Sequence, residues 1–397
     1  MWDDHTPLVF KRKWRCLHGG IIDMIRSKKY WIILCLIGLL CLGGEGVAAP
    51  SQSQSDPSLS KPVSVLLYHP WEEGFEVTFR DHLDWLKQNG YQTIPMETLI
   101  DYLEGKKVSL PPNPILLTFD DGTIENYDIV YPILKEFGYM GTAFVITGPR
   151  FIRYSKKFWW KEVDRSGILK IENHSHTHSF IWINPQIVDF YSGEDPGDYF
   201  LIKGMDRRLG APIYKFNYEL INERYAPDRR IANLCVNYVA QNGGKKFFKR
   251  EGWKDGLFQV VKDFRNTRRQ MDSYEKEPQR ELRLKNEIYR SKRAIEQSIG
   301  HGKEVIFFTY PWGAYNEELI LKLKKYGYRG AFTTDSGGNF PGDDLFKIKR
   351  FIITSEMTVE DLSNVLKSEW RRYLANPPCA NRPVTTGGLH RRLLNCY

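Results

Sequence analysis

The stretch that most constrains the fold is residues 115–122, ILLTFDDG, an apolar run that ends in two adjacent carboxylates and a glycine. An apolar run of this length closed by a turn residue predicts a buried strand, so Asp120 and Asp121 should lie where the strand leaves the core. Neighbouring side chains of a strand point in opposite directions. One carboxylate can therefore bind a cation while the other acts as a base. The alternative is an ordinary Asp-Asp-Gly turn.

Histidines are concentrated in a second short segment. The chain has nine, and three of them fall within residues 174–178, HSHTH. His174 and His178 are four residues apart, which on a helical turn places both imidazoles on one face, the usual geometry for two ligands of one divalent metal. His176 would point away from that face. A solvated polar turn is the alternative interpretation.

The two segments resemble motifs of the polysaccharide deacetylase family, also called the NodB-homology or carbohydrate esterase 4 family. Thr-Phe-Asp-Asp-Gly is matched at 118–122 and His-Ser-x-x-His at 174–178. The family's Arg-x-Pro-x-Gly motif has a counterpart at 309–313, TYPWG, in which Thr309 replaces the arginine. The resemblance begins at Val63, fades around Leu366 and covers roughly half of the chain. Its pattern is similar to the poly-N-acetylglucosamine deacetylase-like branch.

Apolar runs alternate with amphipathic segments after residue 62, which predicts an α/β domain with a largely parallel sheet. The family resemblance implies a distorted, incomplete (β/α) barrel, here with a large, mostly helical insertion. In parallel barrels the active site lies at the C-terminal ends of the strands, where Asp120 and Asp121 are expected. The predicted strands are 63–68, 115–119 and 142–146, and the predicted helices are 78–89, 96–104 and 126–137.

The resemblance also implies a mechanism. Asp121, His174 and His178 would hold one divalent metal, zinc by ligand type, with cobalt or manganese as alternatives. Asp120 would be the general base that takes a proton from the attacking water. The metal and the backbone N–H of Trp312 would stabilise the oxyanion.

The third motif and its surroundings supply the remaining predicted site residues. Thr309 cannot provide the charge of the family arginine, and Arg350 is the candidate substitute. The family's C-terminal histidine, a general acid, has no match, because the only histidine after the third motif is His390. His69, at the end of the first predicted strand, is a candidate for contacting sugar or acting as an acid, although a histidine simply hydrogen-bonded at a strand end is the favoured interpretation. The predicted oxyanion and substrate pocket consists of Tyr310, Pro311, Trp312 and Gly313.

Basic residues, the apolar run 31–42 and the small residues 46–49 follow one another near the N-terminus, as in a secretory signal. We expect cleavage after Ala48 and a secreted or envelope-associated protein; an uncleaved membrane anchor and a start at Met24 are alternatives. The predicted organisation is an N-terminal extension with signal peptide (1–48), a flexible linker (49–62), the first part of the catalytic domain (63–184), a basic insertion (185–298), the second part (299–372) and a basic tail (373–397).

Charge is segregated along the chain. Residues 245–293 contain sixteen Lys and Arg against eight Asp and Glu, within a chain of net charge +9. Phenylalanine and tryptophan interleave with these cations, which suggests a surface for a sugar polymer, an anionic envelope polymer or a membrane surface. Solvated helices at 257–271 and 279–298 are the alternative. Nucleic acid is not expected as a partner, because an exported protein seldom meets it.

The predicted function is a hydrolase that removes acetyl groups from an N-acetylated polysaccharide of the cell wall or an exopolysaccharide. A non-catalytic polysaccharide-binding protein of the envelope and an O-acetyl esterase of xylan-like polymers are the alternatives. The intact Asp120 and metal-ligand set favour an enzyme over a binder.

Overall fold

The structure, a computed structural model, describes residues 61–148, 158–194, 197–269, 271–300 and 302–375. The predicted signal peptide and nearly all of the predicted linker and basic tail lie outside these ranges. Within them, no helix is long and apolar enough to cross a membrane.

A curled, all-parallel sheet organises the described residues. Seven strands follow one another in the order β11-β10-β5-β4-β3-β1-β12, and β2 pairs beside them with β3. The strands of this sheet are β1 (Ser64–Tyr68), β2 (Tyr91–Thr93), β3 (Asn113–Phe119), β4 (Gly141–Val145), β5 (Leu169–Asn173), β10 (Phe307–Thr309), β11 (Gly330–Phe332) and β12 (Phe351–Ile352). Two antiparallel pairs lie outside it, namely β6 (Phe180–Phe190) with β7 (Pro212–Tyr218), and β8 (Tyr225–Ala226) with β9 (Ser273–Tyr274).

Helices connect most of these strands. They are α1 (Phe75–Gln88), α2 (Met96–Leu103), α3 (Tyr131–Phe137), α4 (Phe158–Ser166), α5 (Arg229–Gln241), α6 (Trp253–Thr267), α7 (Glu277–Lys285), α8 (Ser291–Ile299), α9 (Glu317–Lys325) and α10 (Val359–Ala375). Two π-helical turns, Asn126–Val130 and Asn286–Arg290, precede α3 and α8. The predicted helices 126–137 and 279–298 therefore form, but each contains one of these wider turns.

Both faces of the sheet are buried, which explains the unbroken apolar runs of its central strands. On β3, Leu117 belongs to the large cluster under the outer helices, whereas its neighbour Leu116 belongs to the inner cluster. The inner cluster also contains Phe144, Phe307 and residues of α2, so a packed core fills the concave side. The predicted α/β class and incomplete barrel are confirmed.

The segment predicted as an insertion, 185–298, divides between two environments. The β6–β7 hairpin and helices α5 and α6 form two clusters of their own. In contrast, Leu284, Ile288, Ile295 and Ile299 pack in the main core. Most of residues 180–274 therefore packs outside the main core, with Leu220 as an exception, whereas α7 and α8 pack in the main core. An amphipathic pattern predicts a buried face but not which surface buries it.

Candidate metal centre

The predicted site residues meet at one edge of the sheet. Asp120 and Asp121 directly follow β3, His174 follows β5, and the third motif follows β10. The strands are parallel, so their carboxyl ends share an edge, and segments far apart in sequence converge there.

Three side chains form a cluster suited to a cation. Asp121 Oδ1 lies 3.6 Å from His174 Nε2 and 3.9 Å from His178 Nε2. One ligand atom from each residue lies within 4.8 Å of the others. Ligand atoms about 2 Å from a shared tetrahedral ion are roughly 3.3 Å apart, so small adjustments bring all three onto one ion. The residues present therefore fit the divalent metal that the family implies.

His174 is held in the tautomer that metal binding requires. Its Nδ1 lies 3.1 Å from the carbonyl oxygen of Thr309 and 2.5 Å from the Thr309 hydroxyl. A carbonyl oxygen only accepts, so Nδ1 carries the proton and Nε2 presents its lone pair towards Asp121. Thr309, which stands where the family has arginine, thus orients a histidine of the cluster.

The histidine segment is not the helical turn predicted from the spacing. Residues 174–178 form an irregular loop in which Ser175 (φ 69°) and His178 (φ 48°) are left-handed. This conformation brings the two rings to a centroid separation of 4.8 Å. His176 turns away, as expected, and its Nδ1 contacts the hydroxyl of Thr147 at 2.9 Å.

The environments of the other two ligand residues, His178 and Asp121, also suit metal binding. Burial lowers the pKa of His178 to about 4, so its ring is neutral at neutral pH. The indole N–H of Trp71 donates to Asp121 Oδ2 at 2.8 Å, which leaves Oδ1 facing the histidines. Sequence reasoning missed Trp71; its one available signal was its place just after the first strand.

Asp120, beside this cluster, is paired with a buried arginine. Arg350 donates from Nη1 to Oδ1 at 2.9 Å and from Nη2 to Oδ2 at 2.8 Å, while its Nε donates to the carbonyl of Thr333. Burial raises the pKa of Asp120, but the charge of Arg350 and these bonds outweigh it, so the pKa is lowered overall. The lowered pKa keeps Asp120 ionised. Each of its carboxylate oxygens has two lone pairs and accepts one bond from Arg350, so one acceptor position per oxygen remains. Arg350 thus lies where the missing family arginine would be needed.

The third motif places Trp312 at the rim of the cluster. Its ring lies between those of His178 and Phe180, with centroid distances of 4.6 and 4.7 Å. Its backbone is left-handed (φ 62°), and its buried indole N–H has no acceptor among the described residues. Gly313 follows at φ 70°, where a Cβ would lie 2.0 Å from Thr334 Oγ1, so only glycine fits.

Three other predicted residues lie at different depths. Tyr310 is buried in the main core and its hydroxyl donates to the carbonyl of Phe346 at 2.9 Å, so its side chain does not line a pocket, contrary to prediction. Pro311 is buried beside it. His69 is partly exposed, contacts the ring of Trp71, and is near enough for its charge to help lower the pKa of Asp120.

A curled, incomplete parallel barrel with this Asp-Asp and His-His arrangement at its carboxyl edge is typical of a NodB-homology domain. The sequence profile of the Polysaccharide deacetylase family matches residues 107–189, a range that includes both motifs. Among solved structures, the deacetylase domain of BpsB from Bordetella bronchiseptica superimposes with a TM-score of 0.50 at 21% identity, covering 75% of this chain and 97% of that one. That likeness concerns the fold alone.

Two curated relatives match in sequence. YxkH of Bacillus subtilis strain 168, which bears the family's name, is 35% identical over 125 residues, or 29% of this chain and 43% of YxkH. The poly-β-1,6-N-acetyl-D-glucosamine N-deacetylase of Staphylococcus aureus strain MSSA476 is 30% identical over 105 residues, or 25% of this chain and 35% of that protein. The chain therefore spans less than half of the length of either relative. Its residues 107–189 match the polysaccharide deacetylase family.

Proposed function

We propose that this protein is a metal-dependent hydrolase that removes acetyl groups from an N-acetylated polysaccharide, acting on a linear amide bond. The observation that carries the proposal is the Asp121, His174 and His178 cluster beside a carboxylate, Asp120, that Arg350 keeps ionised. The name of the Staphylococcus aureus relative supports a polymer of N-acetylglucosamine as the substrate class.

In this mechanism, Asp121, His174 and His178 would hold the metal. Zinc suits one carboxylate and two imidazoles, and cobalt and manganese are the alternatives. When bound, such an ion lowers the pKa of water and polarises the acetyl carbonyl. The protein's own part is to hold Nδ1–H of His174 on the Thr309 carbonyl, so that Nε2 is the ring nitrogen that faces Asp121, and to keep His178 neutral.

Asp120 would then act as general base and accept the proton of the attacking water. Arg350 fixes both carboxylate oxygens in place and keeps the group ionised, so a lone pair is available in a set direction. The backbone N–H of Trp312 would stabilise negative charge on the acetyl oxygen. His69 is the proposed acid for the leaving amine, because it is partly exposed and electrostatically linked to Asp120. The products would be acetate and a free amine on the sugar.

The protein is proposed to act outside the cytoplasm or at the cell envelope, on the strength of the signal-like leader. An anionic envelope polymer or membrane surface is the proposed second partner. The proposal is supported by residues 245–269, which carry nine Lys and Arg against three Asp and Glu, all exposed. Cations further along, such as Arg283 and Arg280, are paired with the carboxylates of Glu275 and Glu318, and within the stretch Lys254 is paired with Asp189.

The test is acetate release by the purified protein from oligomers of β-1,6-linked N-acetylglucosamine, with zinc or with a chelator. Asp120→Asn should abolish release, whereas the matched control Asp128→Asn, at an exposed carboxylate, should not. Release that persists in the chelator, or full activity of Asp120→Asn, would contradict the mechanism. Acetylated xylan tests the O-esterase alternative. Retention on the polymer with no release from either substrate would identify a binding protein.

A further inference from the structure

The loop that carries both histidines is held by one carboxylate from a distant helical segment. Glu287 Oε2 accepts the backbone N–H of His176 at 3.2 Å and that of Thr177 at 2.9 Å. Its other oxygen, Oε1, lies 2.9 Å from the Thr177 hydroxyl. Glu287 is 1% exposed, so water does not compete for these bonds. The two amides that it binds lie between His174 and His178.

The charge of Glu287 is compensated within the protein. Lys203 Nζ lies 3.1 Å from Glu287 Oε1 and 2.8 Å from Glu219 Oε1. Glu219 Oε2 in turn lies 2.9 Å from the Thr177 hydroxyl. A buried carboxylate with a cation and three further polar contacts is stabilised in one position, so it can serve as a rigid attachment point.

A second contact comes from the same helical segment. Ser291 Oγ lies 2.8 Å from the carbonyl oxygen of Ser175 and 2.6 Å from Asn173 Oδ1. Glu287 and Ser291 thus bind the loop on both sides of its turn. Ile288, which is fully buried in the main core, anchors this segment to the sheet domain.

The loop needs such support because its conformation is unfavourable by itself. Ser175 and His178 have positive φ, which costs a non-glycine residue about 1–2 kcal/mol. Strained backbone of this kind persists only where the surroundings fix it. Without Glu287, the amides of His176 and Thr177 would lose this acceptor, and a relaxed loop would carry the two imidazoles apart.

We propose that Glu287 is a positioning residue that holds the 174–178 loop in its metal-binding conformation, so that metal affinity depends on a side chain that does not touch the metal. The inference rests on the proposed function for the metal centre. It extends that centre to the π-helical turn Asn286–Arg290, a kind of turn often found at functional sites.

The experiment measures metal affinity and geometry directly. Co²⁺ and Zn²⁺ are titrated into wild type, Glu287→Ala and Glu287→Gln against a chromophoric chelator, and the visible spectrum of bound Co²⁺ is recorded. We expect Glu287→Ala to bind about 10–100-fold more weakly, as for other residues that orient ligands. Glu287→Gln keeps one acceptor oxygen, so its loss should be smaller. The matched control is Glu281→Ala on α7, whose carboxylate pairs with Lys322; it should bind as wild type does.

A purely structural role would lower stability in chelator without moving the Co²⁺ spectrum, so a changed spectrum in a folded variant supports positioning. Should Glu287→Ala fail to fold, Glu287→Gln and Thr177→Val decide, and weaker metal binding by both is expected. If the variants fold and bind metal with the affinity and the Co²⁺ spectrum of the wild type, the proposed role of Glu287 is wrong, while the metal centre is unaffected. A wild-type protein that binds neither ion would overturn the proposed function itself, and this inference with it.

Discussion

Replacing Arg350 by methionine tests how the proposed base is held. The substitution removes two bonds to Asp120 and one to the Thr333 carbonyl, and it leaves a carboxylate that is only 3% exposed without a counter-ion. Removing one partner of a buried ion pair costs about 3–5 kcal/mol. We therefore expect the free energy of unfolding of Arg350→Met to fall by that amount at neutral pH.

The sign of the change follows from the pKa of Asp120. In the wild type Arg350 holds this pKa below its ordinary value, so the ionised carboxylate stabilises the fold at neutral pH. Without Arg350, its charge and its two hydrogen bonds no longer offset burial, so the pKa of Asp120 rises and the ionised form destabilises the fold. Asp120→Asn combined with Arg350→Met removes the uncompensated charge. The double variant should therefore lose less than the sum of the single variants, with a coupling of about 1–3 kcal/mol.

The assay is urea unfolding in the presence of a chelator, followed by fluorescence and circular dichroism, so that metal binding does not contribute. Lys347→Met is the matched control, because Lys347 forms an exposed pair with Glu317 and should contribute about 0–1 kcal/mol. The folded fraction of Arg350→Met should also release acetate far more slowly. A loss below about 1 kcal/mol for Arg350→Met, or strict additivity in the double variant, would refute the reasoning.

Three further outcomes are expected. Gly122→Ala should lower the free energy of unfolding, measured in urea, by about 2–5 kcal/mol, since φ is +65° and a Cβ would lie 2.6 Å from that of Val145. Gly138→Ala, at φ +74° in open space, should lower it by about 1–2 kcal/mol. Equal losses would contradict this reasoning. Burial lowers the pKa of His82, so the unfolded state binds a proton more readily and the free energy of unfolding should fall as the pH drops through about 6.5. His82→Gln should weaken this pH dependence. If the urea midpoint of the variant shifts with pH as much as that of the wild type, the prediction is wrong. Chelation should stop acetate release and added zinc should restore it; activity that survives exhaustive chelation would exclude the proposed metal role.

Local pattern was sufficient for the fold class. The unbroken apolar run of β3 reflects a strand buried on both faces, and its end at Asp120 and Asp121 places carboxylates at the carboxyl edge of a parallel sheet. Strand and helix positions followed from the same periodicities, within a few residues. The sequence also brought the Asp-Asp and His-x-x-x-His segments into one hypothesis, because their side chains share a ligand chemistry.

The same local reasoning failed where a side chain's role depends on its surroundings. Spacing predicted a helical turn for His174 and His178, but bonds from Glu287 to the backbone select a strained loop. Motif position put Tyr310 in the pocket, yet the hydroxyl finds its acceptor in the core at Phe346. Thr309 cannot supply the charge of an arginine, and the sequence did not show that its carbonyl orients His174.

By itself, then, the sequence determined the α/β class, the order of the strands along the chain and the residue types that meet at the carboxyl edge, because these depend on periodicity and chemistry within short windows. Only the tertiary structure decided which groups orient them. Arg350 reaches Asp120 across 230 residues of chain, and Glu287 reaches the amide of His176 across 111. Such bonds form because packing of the sheet and its helices places complementary buried groups side by side, and no short window of sequence contains both partners.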